Sequence, residues 1–294
     1  MKNITITGSL GNVGRNLATI LTQNGHNVTV VTSSQDRVAE IEGLGAKAAV
    51  ALINDTAALT RAFDGADAVF AMTPPARGGS NDISNTVQAG QALADAFVNA
   101  GIKRVVMLSS LGADQPSGTG PIVGVHGVEE IYRKLNGISI TFLRAGLFYY
   151  NLFGNLAMIQ NAHMLGANYP GDVAVPFAHP KDIAAAAAEE LTLAKDGHDT
   201  RFIVSDLRKP REYAKILGAA LGQPELPWIE FTDEQALEGM TNAGVPGELA
   251  KLFTEMGNGI RTGKFSSAWL AAGAQVDGKI KFEAFAEELS RSAS

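Results

Sequence analysis

Apolar positions along the chain follow two alternating periods. Short β-branched runs read as buried strands. The segments between them carry apolar residues three and four apart, the spacing of one helix face. Ile4–Thr7 is the first run and ends in a glycine turn. Val13–Gln23 follows as a helix, with Val13, Leu17, Ile20 and Leu21 on one face and Asn24-Gly25-His26 as its stop. Further strands are predicted over Val28–Val31, Ala48–Ile53, Ala68–Met72 and Val105–Ser109, and helices over Arg37–Leu44, Ala57–Phe63 and Ile83–Ala100. Asp64-Gly65 closes the third helix, Thr73-Pro74-Pro75 stops the fourth strand and Gly101 ends the long helix. Strands alternating with helices in this way make βαβ units. The predicted class is α/β, a Rossmann doubly wound parallel sheet.

The second half is less regular. A helix is predicted over Val125–Leu135 and a sixth strand over Ser139–Leu143. Helices follow over Leu152–Ala162 and Lys181–Ala194, then a seventh strand over Arg201–Val204. Pro210–Leu221, Asp233–Asn242, Pro246–Gly257 and Phe282–Arg291 complete the helices. No Gly/Ser tract or fixed-period repeat separates the halves. The expected organisation is an NAD(P)-binding Rossmann domain over 1–150 and a smaller, mostly helical substrate portion over 151–294, interwoven with the Rossmann sheet. The strand near 201–204 returns to the sheet.

Composition narrows the chemistry. With 24 Lys+Arg against 30 Asp+Glu, the net charge of −6 disfavours a general nucleic-acid or anionic-membrane surface. No cysteine is present, which excludes disulfides, zinc-thiolate sites, iron–sulfur clusters and thiol catalysis. No apolar run reaches the roughly 18 residues of a membrane span, and the start of the chain lacks a secretory h-region. The expectation is cytoplasmic. His26, His163 and His179 form no set with metal-ligand spacing, so no metal is expected.

The first turn reads Gly8-Ser9-Leu10-Gly11-Asn12-Val13-Gly14. It follows a strand and opens an amphipathic helix, the context a dinucleotide-binding turn requires. Gly8 makes the turn, Gly11 lets backbone approach a pyrophosphate at the helix N-terminus, and Gly14 lets the helix pack close to the sheet. After the second strand stands Thr32-Ser33-Ser34-Gln35-Asp36-Arg37 rather than a strand-tip acid. Ser33, Ser34 and Arg37 suit a 2′-phosphate, although Asp36 can face the same pocket. NADP(H) is favoured over NAD(H).

These residues resemble the NmrA-like branch of atypical short-chain dehydrogenase/reductases, and within it the type-2 NAD(P)H:quinone oxidoreductases. Gly8–Gly14, Phe63–Val69, Leu108–Leu111, His126–Leu135, Phe142–Phe148, His179–Ala184 and the Tyr213–Gly222 helix carry the resemblance, over roughly residues 1–225. It implies that Gly8, Ser9, Gly11, Asn12, Val13 and Gly14 form the cofactor turn. It implies that Thr73 and Pro74 meet the adenosine ribose and that Ser109 and Ser110 face the nicotinamide. Ala145, Gly146 and Leu147 would pass over that ring. Ser33 departs from the arginine common in NADP-binding relatives.

The Tyr-x-x-x-Lys pair of ordinary superfamily members is absent. The two positions carry His126 and Glu130, and Tyr132 has the wrong spacing to replace the tyrosine. Reduction of a carbonyl to an alcohol needs a positioned acid. Quinone reduction needs less, because the anion it produces is already stabilised. Imidazole as a group can give or take a proton near neutral pH, which makes His126 the candidate proton donor; the competing role is a structural hydrogen bond to backbone or ribose. Glu130 reads as a surface or ribose-side residue. Phe148, Tyr149 and Tyr150 open the densest aromatic cluster and suit a flat substrate ring, with one of the two tyrosines exposed. Core packing is the other role for them. The expected function is an NAD(P)H-dependent oxidoreductase passing hydride to a quinone or similar flat electrophile. It would act on a small molecule as a monomer or homodimer. The alternative is a non-catalytic NAD(P)-binding redox sensor acting through a regulatory protein partner.

Overall fold

In the computed structural model, residues 1–74 and 82–293 are described, so the expected stop at Pro75 lies outside the described residues. In chain order the elements are β1 (Asn3–Ile6), α1 (Asn12–Gln23), β2 (Asn27–Thr32), α2 (Val38–Gly43), β3 (Lys47–Val50), α3 (Thr56–Phe63), β4 (Ala68–Ala71), α4 (Asp82–Asn99), β5 (Arg104–Ser110), α5 (Ile122–Tyr132) and β6 (Ser139–Ala145). They continue with β7 (Leu147–Phe148), α6 (Leu156–Ala162), β8 (Leu165–Ala167), β9 (Val175–Ala178), α7 (Pro180–Thr192), β10 (His198–Ile203), β11 (Asp206–Arg208), α8 (Pro210–Ala220), β12 (Trp228–Glu230), α9 (Asp233–Asn242), α10 (Gly247–Arg261), α11 (Ser267–Ala271) and α12 (Phe282–Ala293). Seven strands form one sheet in the order β10-β6-β5-β4-β1-β2-β3. The pairings from β3 through β5 are parallel, as the strand–helix alternation requires. This is the α/β, Rossmann-like fold.

Contacts divide the chain into two units. The first holds Met1–Ser109, Gly124–Arg144 and Ile183–Arg201; the second holds Ser110–Val123, Ala145–Asp182 and Phe202–Ser294. Each unit is therefore assembled from segments separated in the sequence. One physical reason is Glu190 on α7, whose buried carboxylate meets Arg104 of β5 at 3.1 Å, Arg201 of β10 at 3.2 Å and Lys195 at 2.7 Å. A buried carboxylate must be paired, and its cations come from two strands of the first unit and the loop that follows α7.

The first unit's core packs α3, α4 and α5 on the sheet through Leu59, Phe63, Leu93, Phe97, Val128 and Tyr132. Helices α4 and α5 approach closely because glycines face bulky residues: a Cβ on Gly90 would lie 2.5 Å from Val128, and one on Gly127 would lie 2.7 Å from Val87. The second unit carries more sheet than the helical pattern predicts. Strands β11, β9 and β7 form one small sheet, and β12 pairs with β8. These strands have two to four residues, too short for alternation to show in sequence. An aromatic core holds this unit: Tyr149 stacks on Phe285 at 5.1 Å and on Phe177 at 5.5 Å, with Phe282 edge-on at 5.2 Å. Trp269 is buried in the same unit.

Candidate functional site

A groove of about 710 Å³ opens at the carboxyl ends of the first unit's strands, where open α/β sheets bind ligands. Gly8, Ser9, Leu10 and Gly11 after β1 form one wall, and Thr32, Ser33, Ser34 and Arg37 after β2 form the next. Leu52, Asn54, Pro74, Asn85 and Gln88 complete it. Among the described residues lining it there is one cation, Arg37, and no carboxylate. The groove therefore favours an anionic ligand.

The turn is built by backbone constraint. Gly8 has φ +89° and Ser9 has φ +59°. The Ser9 N–H donates to Val31 O at 3.0 Å, and its hydroxyl donates to Thr32 Oγ1 at 3.1 Å. This pins the turn to β2. Gly11 is the N-cap of α1 without a side-chain cap, and no acid occupies the first turn. Those free N–H groups and the helix dipole suit a phosphate. A Cβ on Gly14 would lie 2.2 Å from Ser9 O. That glycine makes room for the turn's own carbonyl, a closer contact than the helix–sheet packing expected from the sequence.

The remaining predicted turn residues divide. Val13 is buried in the core, while Asn12 is exposed and, with Gly14 and Thr73, does not line the groove. Ser34 Oγ accepts from Asp36 N at 3.3 Å and caps the short 3-10 turn Gln35–Arg37. Arg37 lines the groove and Asp36 does not. Arg37 also donates to Glu40 at 2.8 Å, and Glu40 pairs with Arg15 as well. The two guanidinium groups hold the Glu40 carboxyl below its ordinary range. Neither Arg15 nor Glu40 stands out in the sequence, because their pairing joins α1 to α2. Leu52, Asn54 and Gln88 were also missed; in sequence they are ordinary loop and helix residues.

The Ser109 expectation needs correction. Its hydroxyl is buried and donates to Glu129 Oε1 at 2.6 Å, away from any open surface. Glu129 also takes a two-point contact from Arg144, at 2.9 and 2.6 Å, and one from Arg133 at 3.0 Å. A carboxylate 1% exposed needs such partners. Ser110 is half-buried, and its hydroxyl donates to Leu111 O at 2.9 Å. On α5, His126 is half-buried and Glu130 is exposed. Tyr132 is fully buried with its hydroxyl unpartnered among the described residues, so it is a core residue and no substitute acid.

In the second unit, the Leu111 N–H donates to Ala145 O, and the Gly146 N–H donates to Ile203 O. Leu147 and Phe148 are half-buried in β7. Tyr149 corrects the substrate expectation: both ring faces are occupied and the side chain is fully buried. Tyr150 is the accessible one of the two. Its hydroxyl donates to Glu288 at 3.1 Å; burial, then this carboxylate, push its pKa up to about 12. His179 Nδ1 accepts the Lys181 N–H at 3.1 Å, which leaves the proton on Nε2, 3.3 Å from Glu288. Burial holds the His179 pKa below its ordinary value. Burial alone would raise Glu288, but Lys181, His179 and Tyr150 outweigh it and hold it low. Asp182 Oδ2 accepts from Ser205 Oγ and Ile280 N, anchoring loops rather than capping α7.

A family model described as the NmrA-like family matches residues 1–205. An NAD(P)H azoreductase of Xenophilus azovorans is 28% identical over 262 residues, 86% of this chain and 85% of that protein. A (4-alkanoyl-5-oxo-2,5-dihydrofuran-3-yl)methyl phosphate reductase of Streptomyces griseus is 30% identical over 267 residues, 90% of this chain and 89% of its own. Among solved structures, an NADPH-dependent quinone oxidoreductase of Escherichia coli complexed with NADPH superposes with a TM-score of 0.80 at 19% identity, covering 99% of this chain and 100% of that one.

Proposed function

This chain belongs to the NmrA-like family and is an NAD(P)H-dependent reductase, and we propose that it reduces a quinone or similarly flat, conjugated electrophile with NADPH preferred to NADH. The observation that carries the proposal is the groove: a glycine turn, two serines and one arginine at the strands' carboxyl ends, with no lining carboxylate among the described residues. Gly8 and Ser9 would shape the turn, and Gly11, Asn12 and Val13 would hold the pyrophosphate through backbone N–H groups at the start of α1. Ser33, Ser34 and Arg37 would meet the 2′-phosphate, and Thr73 and Pro74 the ribose. The bound dihydronicotinamide supplies a hydride, which together with one proton converts a quinone to its hydroquinone.

His126 is the proposed proton source, and no Tyr/Lys pair is needed because the hydroquinone anion is a weak base. The family resemblance assigns Ala145, Gly146 and Leu147 to the nicotinamide, and the aromatic cluster after β6 offers Phe148 and Tyr150 to the acceptor. The relatives named above support the acceptor class: an azo compound, a conjugated furanone and a quinone are all planar hydride acceptors. No helix among the described residues is long and apolar enough to cross a membrane. A cytoplasmic site of action, as monomer or homodimer, belongs to the same proposal.

The test is NADPH oxidation by purified protein with benzoquinones, naphthoquinones, an azo dye and a conjugated furanone, with NADH in parallel. Turnover on quinones with a higher kcat/KM for NADPH is expected. Saturable NADPH binding without turnover on any acceptor would overturn the proposal in favour of a redox sensor. Turnover confined to the furanone would remove the quinone.

A further inference from the structure

Both carboxylate oxygens of Glu40 are held by guanidinium groups. One accepts from Arg37 Nη1 at 2.8 Å and the other from Arg15 Nη2. The three side chains are 38–45% exposed. Exposed pairs of this kind contribute little to stability, so the fold does not depend on the cluster. Its consequence lies in the groove beside it. Arg37 is the one cation among the described lining residues, and its guanidinium is engaged by a carboxylate that is not itself in the lining. An incoming 2′-phosphate must share Arg37 with Glu40 and approach a second negative charge. A 2′-hydroxyl faces neither cost.

We infer that Glu40 is a selectivity residue: it competes with the cofactor's 2′-phosphate for Arg37, and so keeps NADH usable beside NADPH. The inference rests on the groove being the dinucleotide site. It differs from the usual acid at the tip of the second strand, which accepts a hydrogen bond from the ribose hydroxyl. Glu40 lies eight residues beyond the end of β2, on α2, and acts on the arginines.

Calorimetric titration with adenosine 2′,5′-bisphosphate and with 5′-AMP isolates the 2′-phosphate. In Glu40→Gln, which keeps size and helix preference, the bisphosphate should bind about three- to ten-fold tighter, the effect of removing one exposed charge near a dianion. 5′-AMP should change less than about twofold, and the gain should shrink with added salt. Glu40→Ala should shift in the same direction. An unchanged bisphosphate affinity, or an equal gain for 5′-AMP, would overturn the role of Glu40 while leaving the groove as cofactor site. If neither nucleotide binds the wild-type protein, the dinucleotide reading itself falls, and this inference with it.

Discussion

Gly14 and Glu129 show how differently single residues can be required. A Gly14→Ala methyl would meet the Ser9 carbonyl, a backbone atom that cannot step aside. The variant should lose about 1–3 kcal/mol of stability and at least about ten-fold in NADPH affinity, read by denaturant melts and fluorescence titration. Glu129→Gln would remove the charge that takes the two-point contact of the buried Arg144. It should cost about 3 kcal/mol in the same melts. Tyr132→Phe tests the opposite expectation. Its hydroxyl has no partner among the described residues, so removal should be neutral or stabilise by up to about 1 kcal/mol. Activity should be unchanged; a large loss of kcat would make Tyr132 catalytic after all. Of these three residues, only Gly14 is marked in the sequence. Glu129 resembles its exposed neighbour Glu130 until β6 brings Arg144 against it.

At the scale of elements, α12 is held to the β9–α7 junction of the second unit by side chains that titrate. His179 and Lys181 meet Glu288, and Tyr150 joins them. Burial lowers the folded-state pKa of His179 below 6.5, so the unfolded chain takes up its proton first. The stabilisation is complete above about pH 6.5 and is lost as pH falls through the folded value, by at most about 1.4 kcal/mol per pH unit. Thermal melts of the wild type should therefore decline as pH falls below about 6.5, and His179→Gln should flatten that decline. Glu288 has a lowered pKa, so its contribution is present above 4.5 and is lost only below that. A wild-type profile that stays flat as pH falls below about 6.5 would refute the assignment. The helix α12 itself was legible from its apolar spacing; what it packs against was not, because its partners come from β9 and α8.

For the whole molecule, cofactor binding and stability are linked. NADPH at a hundred times its Kd should add about 2.7 kcal/mol. For a single transition of a 294-residue chain that is about 4 °C in Tm. NADH at the same concentration should give a smaller shift, and equal shifts would remove the NADPH preference. The sequence by itself determined the α/β alternation, the glycine turn and the missing Tyr/Lys pair. These are local: strand and helix periods repeat within ten residues, and the turn needs glycines at fixed short spacing. Tertiary structure decided the rest. It placed segment 183–201 with the first unit through the Glu190 ion cluster, and turned Ser109 toward Glu129. It buried Tyr149 while leaving Tyr150 accessible, and set Glu40 between two arginines. Each of these depends on charges or ring faces that meet only when distant segments pack, and burial, unlike periodicity, is not written at any one position in the chain.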